Sequence, residues 1–295
     1  MTPPRRLGAH APGLHYNPRF VGPEDRAEIL AWLRTLHPIW EERYSDRRPP
    51  PPGQPQRSLL RPVYWLGNWQ FACLDYYRPP AGVDDRCVRA EPFPPVLARL
   101  VRQVEDLVAR RFPPSFVPPG WRLNTCLVNL YGDRFENGKR TDVARVGEHK
   151  DFEPGPVASI SLGERALFQF VTSRQPGSRD GVVLQQWLDD GSLQVFAGDA
   201  WKRRVFHRVQ RVDRRAGATF DVPVAGFETR RVNFTFRHVP EEHVIPFGKL
   251  APEAREDVRR YVEELARYST WFAAELRGTN PPAPPSAPRS RPASP

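Results

Sequence analysis

The stretch VASISLGERALFQFVT, residues 157–172, holds two short β-rich runs broken at Gly163–Arg165. Working outward, the same grain continues in both directions: TCLVNLY (125–131) lies before it. VVLQQWL (182–188), SLQVFAG (192–198), VFHRVQRV (205–212), ATFDV (218–222) and RVNFTFRHV (231–239) lie after it. Gly, Pro and Asp punctuate these runs, and no helical pattern is interleaved. From about Arg122 to Val239 the chain therefore reads as an antiparallel sandwich or barrel.

Three helical patterns flank this β region. Pro23 to Leu36 opens on Pro and acidic residues and carries Ile29, Leu30, Leu33 and Leu36 on one face. Pro95 to Arg111 repeats Val96, Leu97, Leu100, Val101, Val104 and Leu107, and ends in a basic pair. Pro252 to Leu276 places Val258, Tyr261, Val262, Leu265 and Tyr268 likewise. These stripes are read as core packing, and the fold class is α+β with a β core. RRPPPPGQPQ (47–56) lacks the amide donors that a helix or central strand needs, so it reads as a surface loop. The tail TNPPAPPSAPRSRPASP, from 279, is too poor in large apolar residues to fold.

The expected organisation is an N-terminal helix and Pro-rich loop (1–60), a supporting segment (61–120), the β core (121–245), a C-terminal helix (246–277) and a disordered tail (278–295). No apolar run approaches the length of a membrane span, and the first residues lack the apolar core of a secretory signal. Three widely spaced cysteines, Cys73, Cys87 and Cys126, suggest reduced thiols in a cytoplasm rather than a disulfide framework or zinc site. A monomer is expected. The net charge of +10 favours a polyanionic partner, although an Arg-rich composition also raises pI without any such partner. Its distribution is more informative, because Trp201 to Arg215 holds seven Lys/Arg against one Asp.

His149 and Asp151, in GEHKDFE, stand two residues apart, which in extended chain puts both side chains on one face. Two histidines and one carboxylate leave adjacent metal positions open, as in non-haem Fe(II) oxygenases. His207, within a predicted strand, is the preferred third ligand. His238 has the opposite strand parity to Arg231 and Arg237, and the remaining histidines lie outside the β region. In Arg231-Val-Asn233-Phe-Thr235-Phe-Arg237 the polar residues share one face and the apolar residues the other. A guanidinium in a barrel mouth would suit a carboxylate, and Asn129 and Tyr131 share a face from which they could hydrogen-bond the same ligand.

Taken in order, Asn129-Leu-Tyr131, His149-Lys-Asp151-Phe-Glu153, SISLGERALFQF, GSLQVFAGDAWKRRVFH and Arg231 to Arg237 resemble AlkB-like dioxygenases over roughly Arg61 to Val239. The resemblance implies a double-stranded β-helix (jelly roll) that uses Fe(II), 2-oxoglutarate and O2. It implies His149, Asp151 and His207 as metal ligands and Asn129, Tyr131 and Arg231 on 2-oxoglutarate. Arg237 would lie nearer the metal and the substrate, with Glu153 near the substrate base. RPVYWLGNWQFACLDYY (61–77) looks like the family's nucleotide-recognition lid, with Trp65, Trp69, Tyr76 and Tyr77 available for stacking. The implied reaction is oxidative dealkylation of N-alkylated bases in DNA or RNA, that is, alkylation repair. The same iron site with a different lid would serve a protein or small-molecule substrate, and a β-sandwich binding nucleic acid without catalysis is a further rival. Gly132 to Glu148 is a longer and more charged connection than the family usually shows, and the Pro-rich insertion precedes the lid.

Overall fold

A computed structural model describes residues 12–74, 87–173, 181–210 and 219–279, together with the backbone of Arg5–Arg6. Two sheets face one another. The larger runs, edge to edge, through Leu14–Asn17, Ser192–Phe196, Val157–Gly163, Phe227–Arg237, Thr125–Glu136 and Val63–Leu66, with Lys139–Asp142 paired to the end of Thr125–Glu136. The smaller runs through Arg5–Arg6, Val182–Leu188, Ala166–Val171, Phe206–Gln210 and Val146–His149. All pairings in both sheets are antiparallel except that of Arg5–Arg6. Along the chain, the main strands from Thr125 to Arg237 divide between the two sheets, which is the double-stranded β-helix, or jelly roll.

The alternation in Phe227–Arg237 decides what each face of the larger sheet does. Val232, Phe234 and Phe236 are fully buried and join one core with Ile160, Leu162, Val128 and Leu130 from the neighbouring strands. Helices cover that outer face: Pro23–Leu33, Pro95–Arg111, Pro252–Ala266 and Thr270–Arg277 all contribute to the same core. Between the sheets a second, smaller core of Phe168, Phe170, Phe196, Leu184 and Leu188 closes part of the space. The remaining space is a cavity lined by both apolar and polar side chains.

Four local expectations are corrected. The first helix ends at Leu33, although Leu36 is still buried beyond it. The C-terminal helix is two helices, because the Ser269 hydroxyl accepts from the Phe272 amide and starts a new one. Tyr268 falls at that break and is exposed rather than on the apolar stripe. Residues 219–222 of ATFDV form no strand: Phe220 makes only an isolated bridge to Thr229. The long connection 132–148 is mostly regular. Thr125–Glu136 turns at Asn137–Gly138, both with positive φ, and returns as Lys139–Asp142 before Val146–His149 begins. Residues 47–56 form neither helix nor strand and are largely exposed, as their proline content dictates. The expected disorder of the tail falls beyond the described residues from 280 onward. No helix among the described residues is long and apolar enough to cross a membrane.

Candidate active site

His149 ends one strand of the smaller sheet, and His207 stands directly opposite it on the neighbouring strand. Their rings lie 4.1 Å apart. Asp151 follows in the loop, and His207 Nε2 is 3.3 Å from its Oδ2. One donor atom from each of the three residues lies within 4.8 Å of the others. Adjacent ligands around a six-coordinate divalent ion stand about 3 Å apart, so this spacing suits three positions on one side of such an ion. The tautomer is set as well. His149 Nδ1 lies 2.8 Å from the Gly147 carbonyl and donates to it, which leaves Nε2 with a lone pair. The His207 ring stacks on Phe168 at 5.5 Å and 17°, so packing fixes its plane. Among the described residues no hydrogen bond satisfies buried Asp151 Oδ2, so an acceptor atom is left for a cation.

Electrostatics prepare the same set for a metal. Burial, with His207 beside it, pushes His149 down to about 3, so the imidazole is neutral at physiological pH. Burial alone would raise Asp151, but the Arg237 guanidinium, together with His207 and His149, holds it well below the usual carboxylate range. Arg237 Nε and Nη2 reach Asp151 Oδ1 at 2.8 and 2.7 Å. One carboxylate oxygen is thus held by arginine and the other faces the histidines. Lys202 anchors the loop from beneath. Its buried ammonium donates to the carbonyls of Glu153 and Gly155, the latter at 2.7 Å.

A cavity of about 330 Å³ runs from these ligands between the sheets to Tyr131 and Arg231. The inward residues of Phe227–Arg237 line it, as their parity predicts. Arg231 is buried and gives one hydrogen bond, Nη2 to Ser161 Oγ at 3.0 Å. Its Nε and Nη1 have no partner among the described residues. Burial pushes this guanidinium below its usual range, partly offset by Tyr131. A buried cation with two unused donors fits a carboxylate. Asn129 and Tyr131 lie across the strand from Asn233 and Arg231 respectively.

The expected stacking residues fare differently. Trp69 is fully enclosed, stacked on Phe71 at 5.0 Å and edge-on to Tyr64 and Phe272, so no base can reach it. This corrects the expectation: its alternation with Phe71 belongs to the core. Trp65 is also buried, but it lines the cavity wall opposite the metal ligands. Tyr76 and Tyr77 fall outside the described residues. Glu153 is buried at the cavity, 3.5 Å from Arg237 Nε and within hydrogen-bond reach of Gln70. His238 is held by the Arg122 backbone and lines neither of the two cavities that meet at Asp151.

Three residues escaped the sequence reading. Arg61 lies two residues before Val63, which pairs with Asn129, so the same register sets it beside Tyr131. The signal was available in the period-2 face Arg61, Val63, Trp65. Phe152, beside Asp151, is 51% exposed at the junction of the first cavity with a second of about 540 Å³. Lys202 looked like part of a solvated basic run. Yet only Arg203 and Arg204 of the described cluster residues are well exposed, while Arg208 is buried against Glu148 and Gln169.

The sequence pattern of the 2OG-Fe(II) oxygenase superfamily matches residues 13–237. The chain is also similar to the solved structure of OsALKBH1, with 20% identity and a TM-score of 0.48, over 78% of this chain and 99% of that one. No curated protein matches the sequence. The superfamily pattern covers most of the chain and includes every residue of the metal-binding cluster, so this protein belongs to the 2OG-Fe(II) oxygenase superfamily and is a dioxygenase dependent on Fe(II), 2-oxoglutarate and O2.

Proposed function

We propose that this dioxygenase removes alkyl groups from N-alkylated bases of DNA or RNA. The ordered motifs of an AlkB-like chain set the expectation. The observation that carries it is the rim of the cavity, where exposed Phe152 directly follows the metal-side residue Asp151. Lys150 and Arg203 stand beside it along the second cavity. An exposed aromatic flanked by cations meets the two needs of a nucleotide, a stacking face and a phosphate partner.

In this reading His149, Asp151 and His207 hold the iron, and Arg231 takes the far carboxylate of 2-oxoglutarate with Asn129 and Tyr131 beside it. When bound, iron and 2-oxoglutarate would supply, with O2, an oxidant for the N-alkyl carbon, 2-oxoglutarate leaving as succinate and CO2 and the hydroxylated alkyl group as an aldehyde. The chain's own contribution is placement. Arg237 fixes the Asp151 carboxylate, Phe168 fixes the His207 plane, and Lys202 fixes the loop that carries Asp151 and Glu153. Glu153 faces the cavity from that loop, where it can accept a hydrogen bond from a base. Three buried thiols with no disulfide among them suit a reducing, cytoplasmic setting, and a monomer is sufficient for every contact described.

The test is aldehyde and succinate formation across a panel of methylated DNA and RNA oligonucleotides. Formaldehyde from at least one of them, lost in Asp151→Ala, is expected. Steady 2-oxoglutarate consumption with no reaction on any oligonucleotide would point instead to a protein or small-molecule substrate.

A further inference from the structure

Arg61, which precedes the edge strand Val63–Leu66, is an arginine that the family motifs do not include. The registers of three strands line up Arg61, Tyr131 and Arg231 across the inner face of the larger sheet. The guanidinium carbons of Arg61 and Arg231 lie 5.2 and 4.7 Å from the centre of the Tyr131 ring. Arg61 Nε donates to Asn129 Oδ1 at 2.7 Å, and the side chain forms part of the cavity wall.

Two guanidiniums therefore converge at the end of the cavity remote from the metal ligands. The charge of Arg61 is felt at Arg231, where it adds to the effect of burial. No Asp or Glu of the described residues forms an ion pair with either of them. Arg231 is buried and Arg61 half-buried, and like charges so close repel unless an anion arrives between them. Arg237, at the other end, is already matched by Asp151 and Glu153. A single carboxylate at the remote end would accept from both Arg231 and Arg61.

We propose that Arg61 is a second cosubstrate-binding arginine, which with Arg231 clamps the distal carboxylate of 2-oxoglutarate. This rests on placing that carboxylate at Arg231, and not on the identity of the oxidised substrate. Arg61 also opens the segment that leads through Trp65 to Gln70, the residue touching Glu153. Cosubstrate binding would thereby order the wall beside the substrate.

The test uses protein loaded with redox-inert Mn(II) and calorimetric binding of two 2-oxo acids. 2-Oxoglutarate has a distal carboxylate, whereas 2-oxobutyrate offers the same chelating end without it. Arg61→Met is expected to weaken 2-oxoglutarate about tenfold or more and to leave 2-oxobutyrate within about twofold. Arg61→Lys, which keeps the charge but not the fork, is expected to recover part of the loss. Unchanged 2-oxoglutarate binding in Arg61→Met, while Arg231→Met is impaired, overturns the proposal alone. Equal weakening of both acids also overturns it, since Arg61 would then act only through Asn129 and the local fold. If Arg231→Met binds 2-oxoglutarate normally, the carboxylate lies elsewhere and the underlying placement fails with it.

Discussion

Arg230 and Arg231 are neighbours in one strand, both almost wholly buried, and their surroundings are opposite. A bulge between Thr229 and Arg231 separates them, opposite Gly132, where any Cβ would strike the Glu228 carbonyl. Arg230 meets Asp133, Glu164 at 2.6 Å and Asp142 at 3.5 Å. Burial would lower it, but Glu164 and Asp133 outweigh that and raise it. Arg231 meets a serine and a tyrosine, keeps two donors unused, and is lowered by the same burial. A buried charge whose partners are all inside the protein holds the fold together. One whose partners are missing is waiting for a ligand.

The sharpest way to break this comparison is to substitute each arginine by methionine. Arg230→Met removes a buried partner from Glu164 and leaves buried Asp133 to the half-exposed Arg140, a loss of about 3 kcal/mol. Thermal denaturation should show a fall of roughly 6 °C or more. A fall much smaller than that in Arg231→Met is expected, because no internal carboxylate loses its partner. The second variant should instead lose about 1.5–3 kcal/mol of 2-oxoglutarate affinity, roughly 10- to 150-fold in Kd. Equal thermal losses in the two variants would erase the distinction.

The aromatics repeat the contrast. Trp69 is enclosed and Phe152 is open. Phe152→Ala should raise KM for a reactive oligonucleotide by about 5- to 150-fold with 2-oxoglutarate affinity unchanged, since base stacking contributes about 1–3 kcal/mol. Trp69→Phe should change melting temperature and leave that KM alone. A KM effect confined to Trp69→Phe would reverse the assignment.

A third buried charge sharpens the picture by a smaller effect. Glu41 is raised to about 7 by burial, against the opposing pull of the Ala72 amide, the Trp69 indole and Trp65. A carboxyl raised on folding stabilises fully below its unfolded value of 4.5, and that contribution is lost as pH rises through about 7. The melting temperature of the native chain relative to Glu41→Gln should therefore decline between pH 5 and pH 8. A pH-independent difference would show that Glu41 is already ionised throughout that range.

Much of the site could be read in the sequence because strands write their faces at a period of two. Arg231 to Arg237 alternate strictly, so which residues look inward follows from parity alone, and the lone histidine of matching placement was His207. The β core and two helices were legible for the same reason. What escaped depends on contacts between segments far apart in the chain. Trp69 and Phe152 are both aromatics in polar surroundings, and only the packing of Phe272 and Tyr64 tells which one is closed off. Lys202 sits in a basic run but is drawn inward by two carbonyls of the 153–155 turn. Arg61 needs the register of an edge strand to reach Tyr131. The Asn137–Gly138 hairpin, by contrast, was written locally, and the charge around it masked a turn signal that its two residues carry.

The most direct test of the whole account is a calorimetric titration of Mn(II), then of 2-oxoglutarate, into the native chain and into Asp151→Ala, His207→Ala and Arg231→Met. The native chain should take one Mn(II) and bind 2-oxoglutarate more tightly once it is present. Asp151→Ala and His207→Ala should lose the metal and, with it, that gain, whereas Arg231→Met should keep the metal and lose the acid. Metal binding of native strength in Asp151→Ala would contradict the site described.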